Sequence, residues 1–312
     1  MSVKAIVKLL IPGPLRRFIG TRLRTRRRWL HLRDRVSRYL KLSDESKNDA
    51  DYLLSMLRMN AHIVDKGLRS ENWRRGRSKS AYTRSKELIG ELGSCEDPTY
   101  DWAIEIISEY ERRQCIEGDG LGKDNVHWAS WVRDEMVSED KMMRHMRART
   151  SVRNFDKGRR ITEAEADDIV RAALEAACSC HRQTLRVYCC LDPDRTRQIG
   201  ECFHGFTCYS EYVPSVWVFC VDLRTYQFPE ELFTPSVDTA LGVQNAVLYA
   251  GACGLSMVLL NWVSKPEAEL RLRELMKIPE HESIVVGAAC GQPQSITTKP
   301  ARKLPRDAMG IR

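Results

Sequence analysis

Residues 236–262 of the 312-residue chain read SVDTALGVQNAVLYAGACGLSMVLLNW, and this stretch decides which kind of fold to expect. Between Asp238 and Lys265, 26 consecutive residues carry no charge, which is long enough for a membrane span. Polar side chains and a helix-stopping glycine interrupt the stretch, at Gln244, Asn245, Asn261 and Gly254. The sequence therefore predicts a buried helix over 236–253 followed by a buried strand over 256–262.

The same alternation of helices and strands continues on both sides of this stretch. Short runs rich in Val, Ile and Leu predict three further strands, at 185–191, 216–223 and 283–290. Helical spacing of apolar residues predicts helices at 127–148, 162–177, 194–202 and 265–276. Thr162 and Glu165 have the spacing of a capping box, which opens the second of these helices. Strands with so few charges are typical of a sheet covered by helices on both faces.

The net charge of +8 is concentrated at the start of the chain. Residues 1–41 hold 13 Lys and Arg against Asp34 alone, a net charge of +12, which leaves 8 − 12 = −4 for the rest. We expect a basic amphipathic tail here, either a solvated helix or a segment that lies on an anionic membrane surface. Because no aromatic platform or recognition module accompanies the charge, nucleic acid is not the expected partner.

Between the tail and the strand-rich part, apolar residues at helical spacing predict helices over 48–70 and 84–115. Residues 73–78 form a basic loop between them, and the glycine-rich residues 118–123 are predicted to be a linker. The chain is therefore divided into three parts: a tail over 1–41, a helical extension over 42–125 and a larger domain over 126–312.

The eleven cysteines are an odd number and lie mostly inside apolar stretches, which favours reduced core residues in a cytoplasmic protein. Pro12-Gly13-Pro14 interrupts the first apolar run before it reaches signal-peptide length. We therefore expect a cytoplasmic protein, peripheral on the inner face of the cell membrane if the tail binds lipid. No metal site is predicted, because the candidate ligands contain no CxxC pair and match no standard zinc spacing: Cys178, Cys180, Cys202, His204 and Cys208.

The first motif that carries chemistry lies between two predicted helices. Arg149 and Arg153 are four residues apart, with Ser151 between them and Phe155 after them. Two guanidinium forks and a hydroxyl can all contact one phosphate group. Taken alone, a basic turn of this kind is more often a solvated surface feature.

The second motif, Cys-Ser-Cys-His-Arg-Gln over 178–183, lies at a helix-to-strand junction. Polar groups held beside a buried sheet can recognise the edge of a planar heterocycle, and the Gln183 amide can both donate and accept. The alternative is a polar loop that only satisfies backbone groups.

Two further motifs follow in the last third of the chain. Gly254 allows the backbone at Leu255 and Ser256 to approach a ligand closely, with N–H groups aimed at a ring nitrogen, although an ordinary helix cap explains the same glycine. After the last strand, Gly291-Gln292-Pro293 precedes a basic segment over 299–303 that could return to the phosphate.

In this order and spacing, the four motifs resemble the nitroreductase family over about residues 139–303. That resemblance implies an α+β fold with a mixed β-sheet flanked by helices, here preceded by an N-terminal helical extension. It also implies bound FMN, NAD(P)H as the electron donor, and an intertwined homodimer with FMN at the interface. The flavin contacts can then come from two subunits.

Carried over position by position, the resemblance implies three groups of FMN contacts. The phosphate is bound by Arg149, Ser151 and Arg153, with Arg302 approaching from the C-terminal side. The junction residues His181, Arg182 and Gln183 line the flavin, with His181 and Gln183 at its pyrimidine edge, and the backbone of Leu255 and Ser256 lies near N5. The chain departs from the family pattern at Cys178, His181 and Ser256, and these changes predict weaker flavin binding or an altered substrate.

The function implied is hydride transfer from NAD(P)H through flavin N5 to a small-molecule electron acceptor, and no catalytic side chain is assigned. Residues 62–68, His-Ile-Val-Asp-Lys-Gly-Leu, are similar to an H-x-I-E-K-G-L element of a longer subgroup with surface-polysaccharide functions. A role in polysaccharide biosynthesis follows as a hypothesis. The alternative is a flavin-free scaffold of the same fold that acts as an interaction or membrane-docking module.

Overall fold

The computed structural model describes residues 49–70, 73–115, 138–206, 212–226, 228–263 and 265–294, together with residues 33, 36–37, 302, 304–305 and 308–310. Apart from residues 33 and 36–37, the predicted basic tail lies outside the described residues, as does the linker predicted over 118–123. No helix within the described ranges is both long enough and apolar enough to cross a membrane.

Four strands form the sheet: β1 (Leu185–Cys190), β2 (Ser215–Asp222), β3 (Ser256–Leu260) and β4 (Glu282–Gly291). Their order is β1-β2-β4-β3. The four predicted strands and the α+β class are confirmed. The sheet was expected to be mixed, but each of its three pairings is antiparallel, so the strands described here contain no parallel pair.

Helices cover both faces of the sheet, as the low charge of the strands predicted. On one face, Trp217 and Phe219 of β2 pack on helices α5 (Glu163–Leu174) and α7 (Thr234–Ala252). On the other, Val216 and Val218 pack on α6 (Pro193–Gly200) and α8 (Pro266–Met276). Alternate side chains of one strand thus belong to two separate hydrophobic cores. The charge-free stretch is a buried helix and strand, as predicted.

The helical extension has its own core. It consists of α1 (Ala50–Leu68), α2 (Lys79–Leu92) and α3 (Pro98–Cys115), and α4 (Glu139–Ala148) opens the larger domain. The single helix predicted over 84–115 was wrong, because residues 93–97 separate α2 from α3. Gly93 adopts a φ of +65°, and Pro98 begins the next helix.

Ion pairs join the extension to the sheet. Arg224 is 2% exposed, contacts Asp222 at 2.7 Å and also pairs with Asp49, the N-cap of α1. Burial raises the pKa of Asp222 to about 6. Buried charges need partners, so this cluster fixes the start of α1 against the end of β2.

Candidate functional site

The first motif lines a cavity of about 200 Å³. Helix α4 ends at Ala148, and Arg149 turns the chain away from it into extended backbone. The cavity lies between this turn and the segment that links α7 to β3. Its walls include His145, Arg149, Thr150, Val152, Leu248, Gly251, Leu255, Ser256 and Pro293. The predicted motifs around 150, 255 and 293 therefore meet at one place.

Close packing at the end of β4 brings these segments together. Phe155 is 1% exposed and bridges Pro293, while the Asp156 N–H donates to the Gln292 carbonyl at 2.9 Å. A Cβ on Gly291 would lie 2.9 Å from the Phe155 ring, closer than real side chains come. Glycine is therefore required at 291 for the aromatic side chain of the first motif to pack here.

The Ser256 side chain makes a structural contact that the sequence did not predict. Its hydroxyl donates to the Thr150 carbonyl at 3.2 Å, which ties the first motif to the start of β3. The Leu255 N–H donates to the Ala250 carbonyl at 2.9 Å, and Gly254 has a φ of +76°. This is an ordinary helix cap. The expectation that the Leu255 N–H points at a ring nitrogen is therefore corrected.

The cavity is electropositive. Arg149 and Ser151 are half-buried and Arg153 is exposed, and the lining residues contain no Asp or Glu. The His145 ring lies 2.7 Å from the Leu248 carbonyl, which holds α4 against the end of α7. Arg302 is exposed, and its approach to this cavity stays a prediction. Positive charge without a nearby carboxylate suits an anionic group such as a phosphate.

The second motif is held by a buried carboxylate at the other end of α7. Asp238 accepts hydrogen bonds from the Ser179 hydroxyl at 2.9 Å and from the Tyr226 hydroxyl at 2.8 Å. Three residues of the motif adopt positive φ angles: Cys180, His181 and Gln183. Such backbone persists only where surrounding contacts fix it, and Asp238 provides those contacts.

Arg182 does not point toward a ligand. It is 2% exposed, forms a 2.8 Å ion pair with Glu231 and lies over the Tyr226 ring at 4.8 Å. A buried guanidinium is tolerated only with such partners, which explains the inward orientation. The predicted role of Arg182 in lining the flavin is therefore corrected.

His181 and Gln183 lie beside the helical extension. The Gln183 amide nitrogen is 2.9 Å from Nε2 of His181. The His181 ring is 5.0 Å from the Trp102 ring and 6.4 Å from the His62 ring. Burial, followed by the charges of His62 and Arg58, lowers the pKa of His181. A neutral imidazole is thus favoured at this position.

The two groups of predicted contacts lie at opposite ends of α7. Asp238 holds the junction, and Gly251 lines the cavity. Thirteen residues of helix separate them, a rise of about 20 Å at 1.5 Å per residue. Within one protomer, the four predicted segments do not form a single slot. The segments around 150, 255 and 293 meet at the cavity, the 181–183 junction lies apart from them, and the approach of Arg302 stays a prediction.

Several residues of this arrangement were missed from the sequence, namely Asp238, Tyr226, Glu231, His62 and Trp102. The one available signal was Asp238, a charge at the start of a helix that is otherwise apolar. The others reach the junction only through tertiary contacts. Within the described ranges, no three His, Cys, Asp or Glu side chains are grouped as metal ligands.

Comparison with solved structures finds similar architecture at low sequence identity. An FMN-dependent nitroreductase from Clostridium difficile is 19% identical, with a TM-score of 0.46, covering 55% of this chain and 98% of that one. The NfrA1 nitroreductase from B. subtilis is 26% identical, also at a TM-score of 0.46, covering 54% of this chain and 72% of that one.

Two sequence matches show similarity to one family. The model of the nitroreductase family matches residues 146–217, which include both the Arg149–Phe155 motif and the 178–183 junction. The FMN reductase (NADPH) of Bacillus subtilis (strain 168) is 28% identical over 174 residues, which is 51% of this chain and 68% of that protein. Over these residues, this chain is similar to proteins of the nitroreductase family.

Proposed function

We propose that this chain is an FMN-dependent NAD(P)H oxidoreductase. The observation that carries the proposal is the electropositive cavity where the Arg149 turn meets Ser256 and Pro293. The similarity to an FMN reductase (NADPH) supports both the cofactor and the electron donor. When bound, FMN supplies hydride transfer between NAD(P)H and a second substrate.

The residues at the cavity fit the phosphate end of FMN. Arg149 is half-buried and lines the cavity, and the half-buried Ser151 and the exposed Arg153 follow it closely in the chain. Arg302 would add a fourth group from the C-terminal side. Their work is to neutralise the phosphate charge and to fix the orientation of the ring.

One protomer offers only part of a flavin site. The cavity of about 200 Å³ is smaller than the roughly 300–1,000 Å³ typical of pockets that enclose a small molecule. The junction that would contact the ring edge lies at the far end of α7. We infer that the site is completed by a second copy, whose His181 and Gln183 approach the ring.

An exposed apolar stripe supports this homodimer. Phe233, the N-cap of α7, is followed at intervals of four residues by Val237 and Leu241 within the helix, so these side chains lie on one side of it. They are 70%, 55% and 46% exposed. Helix α4, which packs against the last turns of α7, also exposes Met142, Met143 and Met146. Apolar surface on this scale is typical of an interface.

The cofactor spectrum of the purified chain tests the proposal. We expect yellow protein whose visible absorbance bleaches on addition of NADH or NADPH. Arg149→Ala should weaken FMN binding about ten- to hundredfold, as for loss of a charge-assisted hydrogen bond. Arg144→Ala is the matched control, because it removes an exposed arginine of the preceding helix α4 that pairs with Asp140. Colourless protein that does not bind added FMN would contradict the proposal.

A second candidate, a flavin-free scaffold for interaction or membrane docking, is favoured by the internal engagement of Arg182 and of the Leu255 N–H. The same spectrum discriminates between the two functions. Colourless protein that stays colourless after FMN is added supports the scaffold.

The acceptor and the tail carry two finer proposals. For the acceptor, we propose a sugar-linked intermediate of surface-polysaccharide biosynthesis, from the similarity of residues 62–68 to that subgroup. Faster turnover with simple quinones than with sugar-linked substrates would contradict it.

For the tail, we propose peripheral binding to the inner face of the cell membrane. Deletion of residues 1–41 should abolish binding to anionic vesicles and leave flavin content intact, and unchanged vesicle binding would remove the proposal.

A further inference from the structure

Two helices of the extension contact the junction side chain His181. Trp102 on α3 lies 5.0 Å from the His181 ring, with the two ring planes at 59°. His62 on α1 lies 6.4 Å from the same ring, at 27°. All three side chains are half-buried. The imidazole is thus enclosed by aromatic rings that belong to a separate part of the chain.

A buried polar contact fixes these two rings relative to each other. Arg58 on α1 is 8% exposed and donates to the Thr99 hydroxyl at 2.6 Å and to Asp97 at 3.1 Å. His62 follows Arg58 by four residues, and Trp102 follows Thr99 by three, so each ring shares a helix face with its neighbour. The Arg58 contacts therefore set the spacing of the two rings around His181.

The hydrogen bond from Gln183 sets the tautomer of His181. An amide nitrogen can only donate, so Nε2 of His181, 2.9 Å away, accepts. The proton of the neutral ring then lies on Nδ1, which makes this atom a donor. Such a donor fits a carbonyl oxygen or an unprotonated ring nitrogen on the edge of a flat heterocycle.

The surroundings also keep the ring neutral. Burial is the main cause of the lowered pKa of His181, and His62 and Arg58 on α1 contribute in the same direction. Asp65 on α1 acts in the opposite direction. All three of these charges therefore come from the extension.

We propose that the helical extension is part of the cofactor site, with His62 and Trp102 as positioning residues that hold His181 as a neutral Nδ1–H donor. The identity of the ring as a flavin rests on the proposed function. The tautomer and the aromatic enclosure belong to the chain alone and are measurable without FMN. This assigns the extension a role in ring recognition.

Long-range ¹H–¹⁵N spectra of the full chain, without FMN, test the first half of the inference. The His181 signal is identified by its loss in His181→Gln. We expect an Nδ1–H tautomer whose titration midpoint lies below 6.5, the ordinary value for histidine. An Nε2–H tautomer, or titration at the ordinary value, would overturn the inference.

Variants of the extension test the second half. Trp102→Ala and the milder His62→Ala should each raise the pKa of His181 toward its ordinary value and raise the Kd for FMN about three- to tenfold. Tyr82→Phe is the control, since it removes a hydrogen bond to Glu111 elsewhere in the extension and should change neither quantity.

These measurements distinguish a failure of the positioning role from a failure of the proposed FMN-dependent function. An unchanged His181 pKa and an unchanged FMN Kd in both variants would overturn the positioning role and leave the proposed function standing. A parent chain that does not bind FMN would overturn the proposed function, and the tautomer and pKa then decide the inference.

Discussion

The two ends of helix α7 have opposite character. At its first turns, Asp238 is 8% exposed and accepts three hydrogen bonds that fix a left-handed junction. At its last turn, Gly254 caps the helix through backbone bonds alone, and the cavity opens beside Arg149. The carboxylate at one end is satisfied by hydrogen bonds within the chain, and the other end borders a cavity lined by Arg149.

Under the proposed function, one helix serves two parts of a shared site. Buried charges at the junction stabilise an unusual backbone, so His181 and Gln183 are presented rigidly. The open end keeps its arginines accessible, so that charge is neutralised only when an anion binds. Stability and binding should therefore respond differently to changes at the two ends.

The largest expected effect is at the junction. Arg182→Ala removes one partner of a buried ion pair and leaves Glu231 unpaired, so we expect the free energy of unfolding to fall by about 3–5 kcal/mol. At the cavity, Arg149→Ala should change the free energy of unfolding by less than about 0.5 kcal/mol. Urea denaturation of both variants measures the difference. Equal losses of unfolding free energy in the two variants would show that the two ends of α7 do not differ in this way.

A smaller loss of unfolding free energy is expected when the hydrogen-bond acceptor at the junction, Asp238, is removed. Asp238→Ala leaves the Ser179 N–H and the Tyr226 hydroxyl without their acceptor, at a cost of about 1–3 kcal/mol. Amide hydrogen exchange over residues 178–184 should accelerate, because the left-handed backbone loses its support. Exchange that stays slow would show that other contacts fix the junction.

At the cavity end, Ser256→Ala removes the hydrogen bond to the Thr150 carbonyl. We expect a loss of about 0.5–1.5 kcal/mol in unfolding free energy, together with weaker FMN binding because the Arg149 turn is less well fixed. Thermal denaturation and FMN titration measure the two quantities. Tighter FMN binding in this variant would show that the serine hinders the ligand.

The smallest effect concerns pH. Because the folded state lowers the pKa of His181, the unfolded chain binds more protons just below pH 6.5. Stability should therefore be lost as the pH falls from 6.5 toward the lowered pKa. The difference between the parent chain and His181→Gln, measured by urea denaturation across this range, isolates the contribution. A stability difference that does not vary with pH would contradict it.

Local patterns predicted much of this molecule from its sequence. The Thr162 capping box is present, with the Glu165 N–H donating to its hydroxyl at 3.2 Å, and apolar runs predicted all four strands. The cavity could also be anticipated, because Arg149 and Gly254 follow helix ends. The orientation of Arg182 could not, since its partner Glu231 is 49 residues away. The contacts of His181 with the extension likewise depend on tertiary packing.

We propose that one flavin is bound by the cavity of one protomer and the junction of its partner. A heterodimer of differently tagged chains tests it, one carrying Arg149→Ala and Arg153→Ala and the other His181→Ala and Gln183→Ala. In the heterodimer, one site combines both defects and the other has none. We predict one FMN per heterodimer, and none in either variant homodimer. A heterodimer without FMN, when the parent dimer binds two, would contradict the claim.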